Sequence, residues 1–238
     1  MTTIVSLEAK LRRLRAIEGG PARHRGLFRR AGSDFLVFGA DGHGYRNTPL
    51  RPAEVEAFER DLGVPLPAAY REFLLRIGPG AGPHYGLFTP DEVLLEGDGR
   101  DPSGAFPFVR ADAERIYRAW LDWLDDPGPK PGGPPRGGSA PWRAPGAIII
   151  GTHGCDGYTA LVTTGELVGT VWTVWSVGNS WRPAKAPPAA GAKAPRGPAA
   201  PIYLGPTPGF DAWYDAWLDT ALAELSPTPV AEPPPDGG

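Results

Sequence analysis

Apolar residues recur at helical spacing in several stretches of the chain, and each stretch predicts an amphipathic helix. Two stretches, residues 51–63 and 66–78, are separated by so short a joint that we expect them to fold back on each other as a helical pair. Pro52 and Pro67 stand at first helical positions, and a glycine ends each stretch. Further helices are predicted at residues 6–18, where Ser6 is the expected N-cap, at 111–124 and at 209–225, with a short helix beginning after Thr89.

Strand patterns cluster in the second half of the chain. Residues 147–150 are a β-branched run, residues 158–163 alternate, and a tight Thr-Gly-Glu turn leads into a long strand at 167–177. One earlier strand is predicted at residues 35–38. Because helices cluster early and strands cluster late, the order of elements predicts an α+β fold rather than repeated βαβ units.

The long strand carries apolar bulk on both faces, so we expect each face to be covered at least in part. Trp172 lies on one face and Trp175 on the other, and at least one of them is expected in the core. Tryptophan is also enriched at binding hot spots. The other tryptophan of this strand and Trp181, just beyond it, are therefore open candidates for contact with a partner.

Proline and glycine are concentrated in three segments. The chain has 33 Gly and 30 Pro, and most of the surplus falls in residues 127–146, 183–201 and 226–238. These segments bury too little apolar surface to offset the entropy of ordering, so we expect two mobile insertions and a disordered tail. The remainder predicts one domain at 47–225, with the basic helix and short strand of residues 1–46 packed on it.

Charge and cysteine content narrow the function classes. The formal net charge is −3, so no overall field attracts nucleic acid or an anionic membrane. Residues 1–46 carry nine basic side chains against four acidic ones, but four charges on one short helix are more typical of solvated surface than of an RNA or lipid site. With one cysteine, no secretory signal and no apolar run long enough to span a membrane, we expect a cytoplasmic protein.

Three stretches resemble a known family. Residues 53–77, AEVEAFERDLGVPLPAAYREFLLRI, resemble the opening signature of the SMI1/KNR4 (SUKH) family, with Leu-Gly, Leu-Pro and Tyr-Arg-x-Phe-Leu in order. Where the family usually has an Asn-Gly turn, this chain has Gly-Pro-Gly at 78–80. Residues 148–172, with Ile-Gly-Thr-x-Gly-Cys and Gly-Thr-Val-Trp, look like the family's strand core, and residues 209–222 are similar to its terminal helix.

The resemblance carries expectations about fold and function. It implies an α+β fold with a mainly antiparallel sheet and helices packed against it. Bacterial members are commonly immunity proteins that bind and neutralise a cognate polymorphic toxin, and fungal members act as protein-interaction hubs in cell-wall signalling. The resemblance brings no catalytic residue, cofactor or metal site, and none is predicted here.

Other stretches of the chain contain residue types that catalysis, metal binding or phosphate binding would need. His153 and Cys155 are near in sequence, and an enzyme in which His153 activates Cys155 is one alternative. A zinc site is not expected, because one cysteine and scattered histidines give no ligand spacing. The Gly-rich segments at 39–44 and 78–82 lack the phosphate-loop patterns and are interpreted as turns.

The last predicted helix carries an acidic stripe. Asp211, Asp215 and Asp219 repeat every four residues, and the helix has no Lys or Arg. The stripe is either a solvated face opposite the apolar stripe or a docking surface for a basic partner, because charge patterns steer encounter. The candidate partner interface therefore comprises Asp211, Asp215 and Asp219 together with Trp175 and Trp181.

These observations together predict a non-enzymatic protein-binding module. The preferred interpretation is an immunity protein that occludes a cognate toxin, with a basic toxin domain as partner and neither nucleic acid nor membrane involved. Two alternatives stay open. One is an intracellular scaffold that recruits partners through its Pro-rich segments, and the other is the enzyme that uses Cys155 and His153.

Overall fold

The computed structural model describes residues 3–18, 35, 37–125, 135, 137–185 and 204–225. Seven helices and five strands are present in that part of the chain. In chain order they are α1 (Ile4–Glu18), α2 (Ala40–His43), α3 (Pro52–Leu62), α4 (Ala68–Arg76), α5 (Pro90–Glu96), α6 (Arg110–Asp125), β1 (Gly138–Ser139), β2 (Ala147–Gly154), β3 (Gly157–Val162), β4 (Val171–Trp175), β5 (Ser180–Pro183) and α7 (Phe210–Leu225). The predicted α+β class is confirmed. The predicted tail at 226–238 and most of the insertion at 183–201 lie outside the described residues.

The five strands form one antiparallel sheet in the order β1-β5-β4-β3-β2. The β2–β3 turn and the β4–β5 turn lie at the same end of this sheet, since the amide of Ser176 donates a hydrogen bond of 2.9 Å to the carbonyl of Asp156. Exposed Trp175, the last residue of β4, lies beside this shared end. None of the helices in the described residues combines the length and apolar character needed to span a membrane.

The sheet has a hydrophobic core on each face. One core joins the sheet to α1, α3, α4 and α7, and its strand residues are Ile148, Ile150, Leu161 and Val171. The opposite core lies under α6 and the segment before it, and its aromatic residues are Phe106, Phe108, Trp172 and Trp181. Both faces of the central strands are therefore covered over part of their length, as the apolar pattern predicted.

Helix α7 is at the centre of the larger core. The ring of Tyr214 lies 4.7 Å from that of Phe73, and Phe210 lies 5.0 Å from the same ring. The Tyr214 hydroxyl donates a hydrogen bond of 2.7 Å to the carbonyl of Ala81. Helix α1 packs against α7 and buries three leucines at helical spacing, Leu7, Leu11 and Leu14. The basic N-terminal helix is thus part of the core, with only its polar face toward solvent.

The predicted helical pair is α3 and α4. Gly63 adopts a positive φ of 69° at the end of α3, a conformation that glycine takes without steric penalty. Glu59 then spans the joint, because its carboxylate accepts a hydrogen bond of 2.9 Å from the amide of Leu66. Helix α5 begins with a capping box in which Thr89 and Glu92 satisfy each other's backbone amides.

Several predicted boundaries were wrong. The strand at residues 35–38 is not formed by the described residues there, because Val37 lies in a bend and Phe38 in a turn that leads into α2. Helix α1 begins two residues before Ser6, and the Thr3 hydroxyl accepts from the Ser6 amide at 3.3 Å. The strand at 167–177 is shortened to β4, since Gly169 at φ 82° and Gly178 at φ 85° place its ends in turns.

Part of the insertion predicted at 127–146 belongs to the fold. Gly138 and Ser139 form β1 at the edge of the sheet and pair with Trp181 and Ser180. A Cβ on Gly138 would stand 2.5 Å from the ring of Phe108, so glycine is required there by close packing rather than by mobility. Composition alone does not distinguish these two roles of glycine.

Candidate functional site

The two tryptophans of β4 lie on opposite faces of the sheet. Trp172 is fully buried in the core under α6, whereas Trp175 is 40% exposed on the other face. Residues directly opposite each other in an antiparallel pair share a face, so Thr173 and Arg182 lie on the same face as Trp175. This part of the face is the beginning of the candidate site.

A groove lies where this face meets helix α6, at the β5 side of the sheet, beside the end of β5 that β1 does not pair. We call it the sheet groove. It encloses about 200 Å³ and is lined by Ile116, Tyr117 and Trp120 of α6, Thr173 and Trp175 of β4, Arg182 and Pro183 of β5, and the adjoining Ala184, Lys185 and Leu204. Its walls are mostly apolar or aromatic, and none of the lining residues is acidic. A concave apolar surface with a few polar groups is the usual form of a recognition site.

Two cations lie over an aromatic ring in the sheet groove. The guanidinium carbon of Arg182 is 4.4 Å from the centre of a ring of Trp120, and Nζ of Lys185 is 5.7 Å from it. Burial lowers the pKa of Arg182. Burial lowers the pKa of Lys185 too, and the neighbouring charge of Arg182 adds to the effect. The groove therefore holds two positive charges in a partly desolvated place.

Two stacked histidines stand beside the groove. The rings of His84 and His153 are 3.8 Å apart and nearly parallel, and His153 meets Trp175 edge to face at 6.3 Å. Burial lowers the pKa of His84 to about 4, with the charge of Lys185 as a second cause. Burial and the neighbouring His84 lower the pKa of His153 well below its ordinary value. Both rings are neutral at pH 7 and extend the apolar wall.

The hydrogen bond that a Cys155–His153 enzyme needs is not present among the described residues. Nε2 of His153 lies 2.9 Å from the hydroxyl of Thr159, and its ring stacks on His84. Cys155 lies exposed in the β2–β3 turn at a positive φ of 49°. Over the described part of the chain, no three His, Cys, Asp or Glu side chains are grouped so that they could hold a metal ion. His24 lies outside the described residues.

The acidic stripe of α7 is paired with α1. Nζ of Lys10 lies 2.7 Å from Oδ1 of Asp215 and 2.6 Å from Oδ1 of Asp219. Desolvation alone would lower the pKa of Lys10, but the hydrogen bonds and charges of the two aspartates outweigh it and the pKa is raised. Asp211 lies in the first turn of α7, where a negative charge complements the helix dipole. Two of the three predicted interface aspartates therefore have an intramolecular counterion.

Trp181 was wrongly included in the candidate interface. Its side chain is fully buried between the rings of Phe106 and Trp172, at 5.5 and 6.5 Å, and its Nε1 donates a hydrogen bond of 3.0 Å to the carbonyl of Pro141. The reason is the register of β5, which places Trp181 opposite Val174 and turns it toward the core under α6. Of the two tryptophans in the predicted interface, Trp175 alone has exposed surface.

Trp120, Arg182 and Lys185 were not predicted as site residues. Trp120 lies within the amphipathic helix predicted at 111–124, and Arg182 and Lys185 lie at the boundary of the Pro-rich insertion predicted at 183–201. Only the antiparallel pairing of β5 with β4 brings the two cations to Trp120 and Trp175. A Trp-Arg-Pro sequence directly after a strand was the one available signal, and it is weak.

Comparison with known proteins gives one match. The family model described as SMI1 / KNR4 family (SUKH-1) matches residues 49–186, which include α3 to α6 and the whole sheet. No curated protein and no solved structure matches the chain. The matched range contains the sheet groove except Leu204, whereas the acidic stripe of α7 lies beyond it.

Proposed function

The chain belongs to the SMI1/KNR4 (SUKH-1) family, and from that premise we propose that it is a protein-binding module of the immunity type, which neutralises a cognate toxin by occluding it. The step from family to function rests on analogy with bacterial members. The structure adds a candidate surface for binding.

The observation that carries the proposal is the exposure of Trp175 at the rim of the sheet groove. A tryptophan that is 40% exposed on the open part of a sheet face retains apolar surface that a partner can cover. Aromatic anchors of this kind, surrounded by contacts that exclude water, supply most of the binding energy in many interfaces. Arg182 and Lys185 beside it add polar groups that set orientation.

The groove alone is too small for a stable complex, which needs roughly 800 Å² on each partner. The neighbouring end of the sheet extends the surface, because the β4–β5 turn presents exposed Val177 next to Trp175. Exposed Tyr85 lies close to the β2–β3 turn, where a Cβ on Gly154 would be 2.9 Å from its ring. We propose that the partner covers the groove and this end of the sheet together.

The acidic stripe is the weaker part of the proposed interface. Asp215 and Asp219 share Lys10, so a basic partner would have to compete with an existing ion pair. We therefore assign Asp211 and the exposed part of Asp219 to the rim of the proposed interface. Charge at a rim changes the association rate more than the affinity.

Co-expression with a candidate toxin tests the function. Candidate toxins are the variable C-terminal domains of any large proteins encoded by neighbouring genes, and growth and co-purification are measured together. We expect growth to be restored by the wild-type chain and lost with Trp175→Asp, which places a charge at the proposed anchor. Val168→Asp is the matched control, because Val168 is exposed in the connection between β3 and β4, at the other end of β4 from Trp175. Failure of the wild-type chain to bind or protect against any of these domains would contradict the proposal.

A further inference from the structure

The described lining of the sheet groove has positive side chains and no negative one. Arg182 and Lys185 both line it, and within the described residues neither has a carboxylate at salt-bridge distance. Other cations do have such partners, as Lys10 does with Asp215 and Arg71 with Glu59. Within the described residues, the groove thus holds partly desolvated positive charge with no carboxylate at salt-bridge distance.

Arg182 also has an unused donor. Its Nη2 donates a hydrogen bond of 2.8 Å to the carbonyl of Pro135, but its buried Nε has no acceptor in the described part of the chain. A buried donor without an acceptor is unfavourable, and buried polar groups in native proteins nearly always have partners. A carboxylate brought by a ligand would place an acceptor beside this guanidinium and neutralise the pair of cations at once.

The surroundings favour a carboxylate flanked by apolar groups. Trp120 lies under both cations and Trp175 forms the rim, so the charged position is enclosed by aromatic surface. His84 and His153, both neutral at pH 7, continue that surface. Arginine and a carboxylate form strong, geometrically specific hydrogen bonds, especially where water is excluded.

We propose that the sheet groove receives an acidic segment of the partner protein, with a carboxylate between Arg182 and Lys185 and an apolar side chain against Trp120 and Trp175. This inference rests on the proposed function and specifies the partner's chemistry at one position. It reverses the expectation of an acidic surface for a basic toxin, since the available charge on this surface is positive and the acidic stripe is occupied by Lys10.

A peptide titration tests the chemistry directly. The probes are a short synthetic peptide of aspartate, glutamate and phenylalanine, its counterpart with lysine at the acidic positions, and a single-stranded oligonucleotide. Binding to the full chain is followed by fluorescence anisotropy. We expect the acidic peptide to bind more tightly than the lysine peptide and the oligonucleotide, with an affinity that falls as salt rises.

Matched variants locate the site. Arg182→Gln and Lys185→Gln are each expected to weaken the acidic peptide roughly tenfold. Arg118→Gln is the control, because Arg118 is an exposed cation of α6 on a different surface, beside Glu114 and Asp122. Equal weakening by all three variants, unchanged binding in all three, or tighter binding of the lysine peptide or the oligonucleotide would overturn the inference.

The two proposals fail separately. If the toxin domain is neutralised equally well by Arg182→Gln and Lys185→Gln, the inference is wrong and the immunity function stands. If the peptide titration succeeds but no toxin domain is bound, the groove chemistry stands and the immunity function is wrong. Circular dichroism of each variant confirms that the fold is retained before binding is compared.

Discussion

Trp175 and Trp181 lie on opposite faces of the sheet and differ in burial, and a pair of alanine substitutions tests this difference. Trp181 is fully buried, whereas Trp175 is 40% exposed, and the two residues lie only six positions apart. Both changes remove the same atoms. Any difference in the free energy of unfolding therefore reports the surroundings of each ring and not its chemistry.

The magnitudes follow from buried area. A buried tryptophan side chain removes roughly 200 Å² from water, and at about 25 cal/mol per Å² its truncation to alanine costs about 4 kcal/mol once the retained β-carbon is subtracted. That value lies within the range of about 3–5 kcal/mol for truncated core aromatics. Trp181→Ala also leaves the carbonyl of Pro141 without its donor. Trp175 has about three-fifths of its surface covered and faces an open groove, so Trp175→Ala is expected to cost about 2 kcal/mol.

Urea unfolding followed by far-ultraviolet circular dichroism measures both values, with the slope of the transition checked for each variant. We expect Trp181→Ala to lower the free energy of unfolding by about twice as much as Trp175→Ala. Equal losses, or a larger loss for Trp175→Ala, would refute the assignment of Trp175 to the binding surface and Trp181 to the core.

Three further outcomes are expected. Lys10→Met should lower the free energy of unfolding by about 1 kcal/mol in low salt and by less in high salt, because it leaves Asp215 and Asp219 as like charges one turn apart. Burial lowers the pKa of His43 from 6.5 to about 4, so between these pH values the unfolded chain binds more protons than the folded one and stability falls as pH drops. This residue should therefore make the free energy of unfolding about 2 kcal/mol smaller at pH 5 than at pH 7, as measured by urea unfolding. The difference should be smaller in His43→Gln. Thr89→Ala should cost about 1 kcal/mol in the same assay through loss of the α5 cap, while Thr89→Ser should cost little.

Helices were predicted well because their signals are local. The apolar stripe of α4 and the prolines at the start of α3 and α4 are recognisable within one or two turns of chain, and the structure confirms both helices within a few residues. The strand core was found for the same reason, since a β-branched run marks β2 and an alternating pattern marks β3. The resemblance to the SMI1/KNR4 family supplied the expected order of these elements, and the family match over residues 49–186 confirms that resemblance.

Edges of the sheet could not be predicted from local pattern. Strand β1 is two residues long and lies in a Gly-rich segment, so only its pairing with β5 defines it. The ends of β4 depend on glycines at positive φ, which composition interprets simply as turns. The prediction of a strand at residues 35–38 was wrong because a short apolar run also suits a buried turn. Val37 is an example, since it is buried but lies in a bend.

The candidate site depended on tertiary pairing for most of its residues. Trp175 was included as a candidate because alternation places it and Trp172 on different faces, but only the structure shows that Trp172 is the buried one. Trp181 was wrongly placed in the interface because the register of β5 against β4 determines which face its side chain lies on, and no local sequence signal gives that register. The partner of the acidic stripe, Lys10, is more than 200 residues away in sequence. Charge compensation at that distance is visible only after α1 has been packed on α7.

Hydrogen–deuterium exchange of the chain, alone and with the cognate toxin domain, shows which surface the partner covers. We predict slower exchange of backbone amides at residues 116–120, 173–175 and 182–185, which line the sheet groove, with α7 little changed. Protection confined to α7 around Asp211, Asp215 and Asp219, with the groove segments unchanged, would contradict this prediction.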